Sequence, residues 1–164
     1  MPHPVLRYVR LADTLASVAH VFNSGKADEM GKDSTIRLLI ADNCLAVRYG
    51  LKLWLRLEPD MQVIGEAANG AEALTMALQL RPDVIVMDAR MPQMDGIAAT
   101  KAIRAGLPDT PIIVLSMEDD LMTRTRALAA GATCFLSKFE TLTALPDTIR
   151  ALAETETLPA TDAM

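Results

Sequence analysis

Asp83-Val84-Ile85-Val86-Met87-Asp88-Ala89-Arg90-Met91-Pro92-Gln93-Met94-Asp95-Gly96 is the stretch on which the fold turns. Its first half is a short, almost wholly apolar run that ends in a carboxylate, the pattern of a strand buried on both faces. Asp95 then stands where it would cap a following helix. Working outward, four more runs have the same character: Ile36–Ala41, Met61–Glu66, Pro111–Ser116 and Thr133–Ser137. Helical spacing fills the gaps, with Leu51, Trp54 and Leu55 in one segment, Leu74, Ala77 and Leu78 in another, and Leu121, Thr125 and Leu128 in a third. Asn69 followed by Glu72 reads as a capping box, Asp119 or Asp120 as a further cap, and Gly131 as a helix stop. Strand and helix alternating in this way imply right-handed βαβ units, with helices on both faces of a five-stranded parallel sheet. The fold class is α/β, doubly wound.

Composition agrees with one globular unit. The 164 residues are 51% hydrophobic and carry a net charge of -5, which excludes wholesale disorder and argues against a protein that coats nucleic-acid phosphates. Cys44 and Cys134 are far apart and lack metal-type spacing, so neither a disulfide framework nor a zinc site is expected. No membrane span or secretory leader is legible, and a cytoplasmic protein is the expectation. Residues 1–35 read as an N-terminal extension and linker, with Leu11, Leu15, Val18 and Phe22 on one helical face, and Met30 is an alternative start. Residues 36–153 form the domain, and residues 154–164 a polar tail. In the last helical segment, Leu142, Leu145, Ile149 and Leu152 keep the spacing while Pro146 interrupts it. The helix is expected to start late, with Pro146 in its first turn, or to kink there.

In a doubly wound sheet, function collects at the carboxyl ends of the strands. Asp42 and Asn43 follow the first run, Asp88 ends the third, Ser116 ends the fourth, and Lys138 follows the fifth. Carboxylates, a hydroxyl and an ammonium converging on one edge suit phosphoryl transfer. Asp88 would be the nucleophile, the acidic residues would hold Mg²⁺, Lys138 would neutralise spreading charge, and Ser116 would donate to a phosphate oxygen.

Residues 36–153 resemble a response-regulator receiver domain of two-component signalling. The likeness rests on Met87–Gly96, Leu39-Ile40-Ala41-Asp42-Asn43, Val114-Leu115-Ser116-Met117 and Phe135-Leu136-Ser137-Lys138. Gly65–Gly70 and Arg81-Pro82-Asp83 are similar to receivers of LuxR-type helix-turn-helix regulators. The resemblance implies a flavodoxin-like sheet of strand order 2-1-3-4-5. It also implies phosphorylation of Asp88 by a partner histidine kinase or histidine phosphotransfer protein, and a switch in which Ser116 moves and Phe135 turns inward. Mg²⁺ would be held by Asp42, Asn43, Asp88 and the backbone carbonyl of Arg90. The domain would be a phosphoacceptor and not an enzyme in its own right, working through partners, with the last helices serving as partner or homodimer faces.

Two departures matter. The family usually has a second acid where Asn43 stands, so Mg²⁺ binding should be weak and tightened by Asn43→Asp. A degenerate pocket acting as a phosphorylation-independent docking module is the alternative. Phe139 stands where relatives often carry an acid, and is read as core packing ahead of an exposed anchor. Cys44, at the start of the first helix, is read as a partly buried filler ahead of a redox sensor. His3 and His20 both lie in the extension, so the phosphoryl donor must come from outside. A dehalogenase-type phosphatase would need a second carboxylate two residues after Asp88, where Arg90 stands, and a flavin domain would need a phosphate-cradling loop after Asp42. Eleven residues after 153 cannot build a helix-turn-helix, so direct DNA binding is not expected of this chain, unless it is the receiver part of a longer DNA-binding regulator.

Overall fold

The computed structural model describes residues 35–118, 120–139 and 141–155. The expected helical face at Leu11, Leu15, Val18 and Phe22, the cap at Asp119 and residues 156–164 lie outside them. The elements are β1 (Ile36–Ala41), α1 (Leu45–Leu55), β2 (Met61–Ala67), α2 (Gly70–Leu80), β3 (Val84–Asp88), α3 (Gly96–Gly106), β4 (Ile112–Ser116), α4 (Leu121–Ala129), β5 (Cys134–Ser137) and α5 (Thr141–Thr155). The strands form one parallel sheet in the order β2-β1-β3-β4-β5.

Successive strand residues point to opposite faces, and the core divides accordingly. Leu38, Ile40, Val86, Ile113 and Leu115 pack with Leu51 and Leu55 of α1 and Leu145 and Ile149 of α5. Leu39, Ile85, Met87, Ile112 and Val114 pack on the other face with Ala73 and Ala77 of α2, Ala99 and Ile103 of α3, and Ala127 of α4. Every residue of β3 and β4 is buried, which is why those runs carry no polar alternation.

The caps follow the sequence. Asn69 Oδ1 accepts from the Glu72 amide at 2.9 Å while Glu72 reaches back to the Ala68 amide at 2.8 Å. Asp95 and Asp120 accept from the amides of Ala98 and Thr123. Gly131, at φ 106°, follows the end of α4. Two expectations need correction. Helix α5 begins at Thr141, so Pro146 sits in its second turn instead of its first. Thr141 Oγ1 donates to the Ser137 carbonyl at 3.1 Å, which pins the start close behind β5, and burial of Leu145, Pro146 and Ile149 outweighs the backbone donor that proline lacks. In α4 the inward residue is Ala127, with Leu128 partly buried, whereas Leu121 is 77% exposed and Thr125 faces solvent. The first turn's large apolar side chains, Leu121 and Met122, face solvent.

Arg104 closes the amino-terminal edge of the sheet. Its guanidinium donates to the Gly131 carbonyl at 3.1 and 2.7 Å and to the Thr110 carbonyl at 2.9 Å, joining the segments that lead into β4 and β5.

Candidate functional site

The register delivers the candidate residues to one place. Ala41 lies beside Met87, Asp88 beside Leu115 and Ser116 beside Ser137, so Asp42, Asp88, Ser116 and Lys138 line the carboxyl edge. Together with Asn43, Cys44, Arg90, Met117 and Glu118 they line a cavity of about 310 Å³.

Asp42, Asp88 and Ser116 are buried, at 1%, 6% and 2% exposure. Lys138 Nζ lies 2.6 Å from Asp42 Oδ2 and 3.3 Å from Asp88 Oδ1, tying β1, β3 and the end of β5 through one ammonium. Burial pushes the Asp88 carboxyl above the ordinary range, against the pull of Lys138 and with the push of Asp42. Burial works to lower the Lys138 pKa, but its hydrogen bond to Asp42 and the charges of both carboxylates hold it above the usual lysine value. Two buried carboxylates thus share one partly buried ammonium.

Asn43 is exposed beside them. Its amide group lies 3.1 Å from the Arg90 carbonyl and 3.2 Å from Asp88 Oδ2, an approach that its nitrogen makes as a donor or its oxygen makes with a cation between them. Two oxygens expected to hold a cation are therefore within reach of one small group. The donor set of two carboxylates and a carbonyl oxygen fits Mg²⁺, which takes few protein ligands and keeps several waters. No group of three or more His, Cys, Asp or Glu side chains suited to a metal occurs among the described residues.

Ser116 Oγ accepts from the Glu118 amide at 3.1 Å. Phe135 is already inward, at 5% exposure, with the Arg124 guanidinium 4.9 Å from its ring centroid. Two readings are corrected. Phe139 is 74% exposed, because it follows Lys138 in the turn leaving β5 and points away from both core layers. Cys44 is exposed at the N-cap of α1, its amide donating to Asp42 Oδ1 at 2.8 Å, so it fills no core space.

Sequence reasoning missed several supports. Arg48, one turn into α1, donates to the Asp42 carbonyl at 2.6 Å. Arg90 and Glu118 form an ion pair between the two loops at the mouth of the pocket. The β3–α3 loop is held by close backbone approaches: a Cβ on Gly96 would lie 1.8 Å from the Asp88 carbonyl oxygen, and one on Gly70 would lie 2.3 Å from that of Met94. In the same loop Gln93 has φ 65° while the Met94 amide donates to the Pro92 carbonyl at 2.8 Å, a three-residue γ-turn. The Asp95-Gly96 pair was the one available signal for this packing.

The family model described as response regulator receiver domain matches residues 38–150. The chain belongs to that family. It is 43% identical over 123 residues to the transcriptional regulatory protein LiaR of Bacillus subtilis, covering 74% of this chain and 57% of the relative. It is 38% identical over 134 residues to a protein-glutamate methylesterase/protein-glutamine glutaminase of Myxococcus xanthus, covering 75% and 38%. Among solved structures, a LuxR-family two-component response regulator from Aurantimonas superposes with a TM-score of 0.71 at 30% identity, covering 74% of this chain and 87% of that one. The response regulator domain of Thermotoga maritima CheB gives 0.66 at 32%, covering 77% and 99%. The receiver spans about half the length of the curated relatives it matches. No described helix is long and apolar enough to cross a membrane.

Proposed function

We propose that this receiver accepts a phosphoryl group on Asp88 from a histidine kinase or histidine phosphotransfer protein and relays the change to a partner through its surface. The observation that carries the reading is the Lys138 ammonium set between Asp42 and Asp88 in a buried pocket that still opens to solvent. Burial makes the Asp88 carboxylate more basic than an exposed one and hence a better nucleophile.

An Asp88 oxygen attacks phosphorus, an O–P bond forms, and the P–N bond to the donor imidazole breaks with its electron pair going to nitrogen. Lys138 neutralises charge on the transferring oxygens, and Ser116, released from the Glu118 amide, donates its hydroxyl to one of them. Asp42, Asp88 and the Arg90 carbonyl would hold Mg²⁺, with the Asn43 amide oxygen as a further, neutral ligand. The bound ion would supply further neutralisation of phosphate charge. Phe135, beneath Arg124, is the aromatic on which the Ser116 movement acts, and α4 with β5 forms the face that reads it.

Intact-mass spectrometry after acetyl phosphate and Mg²⁺ tests the proposal. A phosphate-sized gain is expected, absent in Asp88→Asn. No gain, or a gain that persists in Asp88→Asn, favours the phosphorylation-independent docking module. The output is a separate matter, because the relatives' names place a transcriptional regulator and a methylesterase on the same kind of receiver. Since this chain matches 57% of the former, receiver of a longer DNA-binding regulator is the second reading. DNA binding by the full gene product, before and after phosphorylation, tests it.

A further inference from the structure

The mouth of the pocket is rimmed by a chain of contacts that runs through two loops. The Arg90 amide donates to Asp88 Oδ1 at 3.3 Å, and the Arg90 guanidinium pairs with the Glu118 carboxylate. The Glu118 amide in turn donates to Ser116 Oγ at 3.1 Å. Asp88 and Ser116 end the neighbouring strands β3 and β4, so the chain leads from the phosphoacceptor to the hydroxyl expected to move. Its weak link is the ion pair: the two side chains are 69% and 48% exposed, and an exposed pair is cheap to break. Arg90 and Glu118 nonetheless line the same cavity as Asp88.

A phosphoryl group on Asp88 changes the competition for Arg90. It presents three strong acceptor oxygens and more charge than one carboxylate, and the planar guanidinium fork matches phosphate geometry. We propose that Arg90 grips the phosphoryl group and is held in reserve by Glu118: on transfer its guanidinium leaves Glu118 for a phosphoryl oxygen, and the freed Glu118 segment lets go of Ser116. The proposal rests on the reading of Asp88 as phosphoacceptor and adds to it a second cationic side chain after Lys138. It also gives the release of Ser116 a cause, because the carboxylate that loses its partner belongs to the residue whose amide holds the hydroxyl.

A charge-balanced pair of substitutions separates a grip from general attraction of anions. Initial rates of phosphate mass gain with acetyl phosphate and Mg²⁺ are compared in wild type, Arg90→Met, Glu118→Gln and the double variant at fixed ionic strength. Both side chains are surface groups, so the fold should stand. Arg90→Met should be slower by roughly tenfold, the worth of a hydrogen bond to a charged group. Glu118→Gln should be faster by about threefold, as expected from removing an exposed partner. The double variant keeps the net charge of wild type. If Arg90 grips a phosphoryl oxygen, this variant stays as slow as Arg90→Met; a return to the wild-type rate would show that only the charge at the mouth matters, and would overturn the proposal.

The link to Ser116 is read without phosphorylation. Exchange of the Glu118 amide proton, followed by NMR, should quicken by about threefold in Arg90→Met, since the ion pair no longer seats Glu118 over the hydroxyl. An unchanged exchange rate overturns the proposal. A phosphorylation rate equal to wild type in either single variant overturns it too, yet leaves the phosphoacceptor reading intact. A wild-type domain that gains no phosphate mass ends both.

Discussion

The two edges of the sheet both carry charged clusters, and they are built on opposite terms. At the amino edge, Arg150 is bound to Asp60 at 2.7 Å and to Glu58, and Arg37 donates from its backbone to Asp83 at 2.7 Å and from its side chain to the carbonyls of Leu80 and Arg81. These side chains are partly exposed, and the hydrogen bond from Arg150 holds the Asp60 carboxyl below its ordinary range. At the carboxyl edge, two carboxylates share one ammonium under cover, and burial holds Asp88 above its range. Partnered charge at the surface contributes little and stores nothing. Unbalanced charge in the interior is costly and therefore reactive. The difference separates a seam from a site within one sheet.

The sharpest way to break the comparison is Lys138→Met. It leaves Asp42 and Asp88 buried without a cation, and a loss of about 3–5 kcal/mol is expected in urea unfolding at neutral pH, shrinking in acid as Asp88 takes up a proton. A cost under about 1 kcal/mol would show the edge to be better solvated than its burial implies.

Gly96→Ala comes next. The new methyl meets the Asp88 carbonyl oxygen at 1.8 Å, a backbone atom that cannot swing aside, and a loss of about 3 kcal/mol by the same assay is expected.

Asp88→Asn should have the opposite sign. The raised carboxyl pKa means that the folded state binds the proton more tightly than the unfolded chain. That contribution is complete below the ordinary carboxylate range and is lost as pH rises through the folded value. The variant lacks this loss, so it should be more stable than wild type at neutral pH, and the gap in Tm should narrow towards acid.

Arg150→Met should have the smallest effect, about 0.5 kcal/mol once solvent screening is allowed for. Here the linkage runs the other way. The lowered Asp60 pKa gives wild type an advantage that is present above the ordinary carboxylate value and disappears as pH falls through the folded one. Opposite pH trends at the two edges are the signature of the comparison; matching trends would erase it.

Strands were legible because burial on both faces leaves an uninterrupted apolar run, and all five appear within a residue or so of their expected bounds. The pocket was legible for a related reason. A parallel sheet brings its strand ends together, so Asp42, Asp88, Ser116 and Lys138 could be gathered from positions almost a hundred residues apart. What escaped depends on contacts between loops. The Arg90–Glu118 pair and the seat of Met94 on Gly70 have no periodic signature. The inward face of α4 was misread because Leu121 and Thr125 fit a helical stripe, whereas the face that packs carries Arg124, Ala127 and Leu128. Pro146 was placed a turn too early because propensity was weighed without the tether from Thr141 to Ser137.

Arg104 gives the sheet a fulcrum. By fastening the turn after α4 to the segment before β4, it fixes one end of a nine-residue rod about 13 Å long at the helical rise. The other end begins at Asp120, four residues beyond Ser116, and carries Leu121 and Met122 into solvent. A rod fastened at its far end moves most at its near end. A displacement passed on from the Ser116 hydroxyl would therefore be felt first at two large, exposed apolar side chains, turning a local change of charge into a change of surface that a partner can feel.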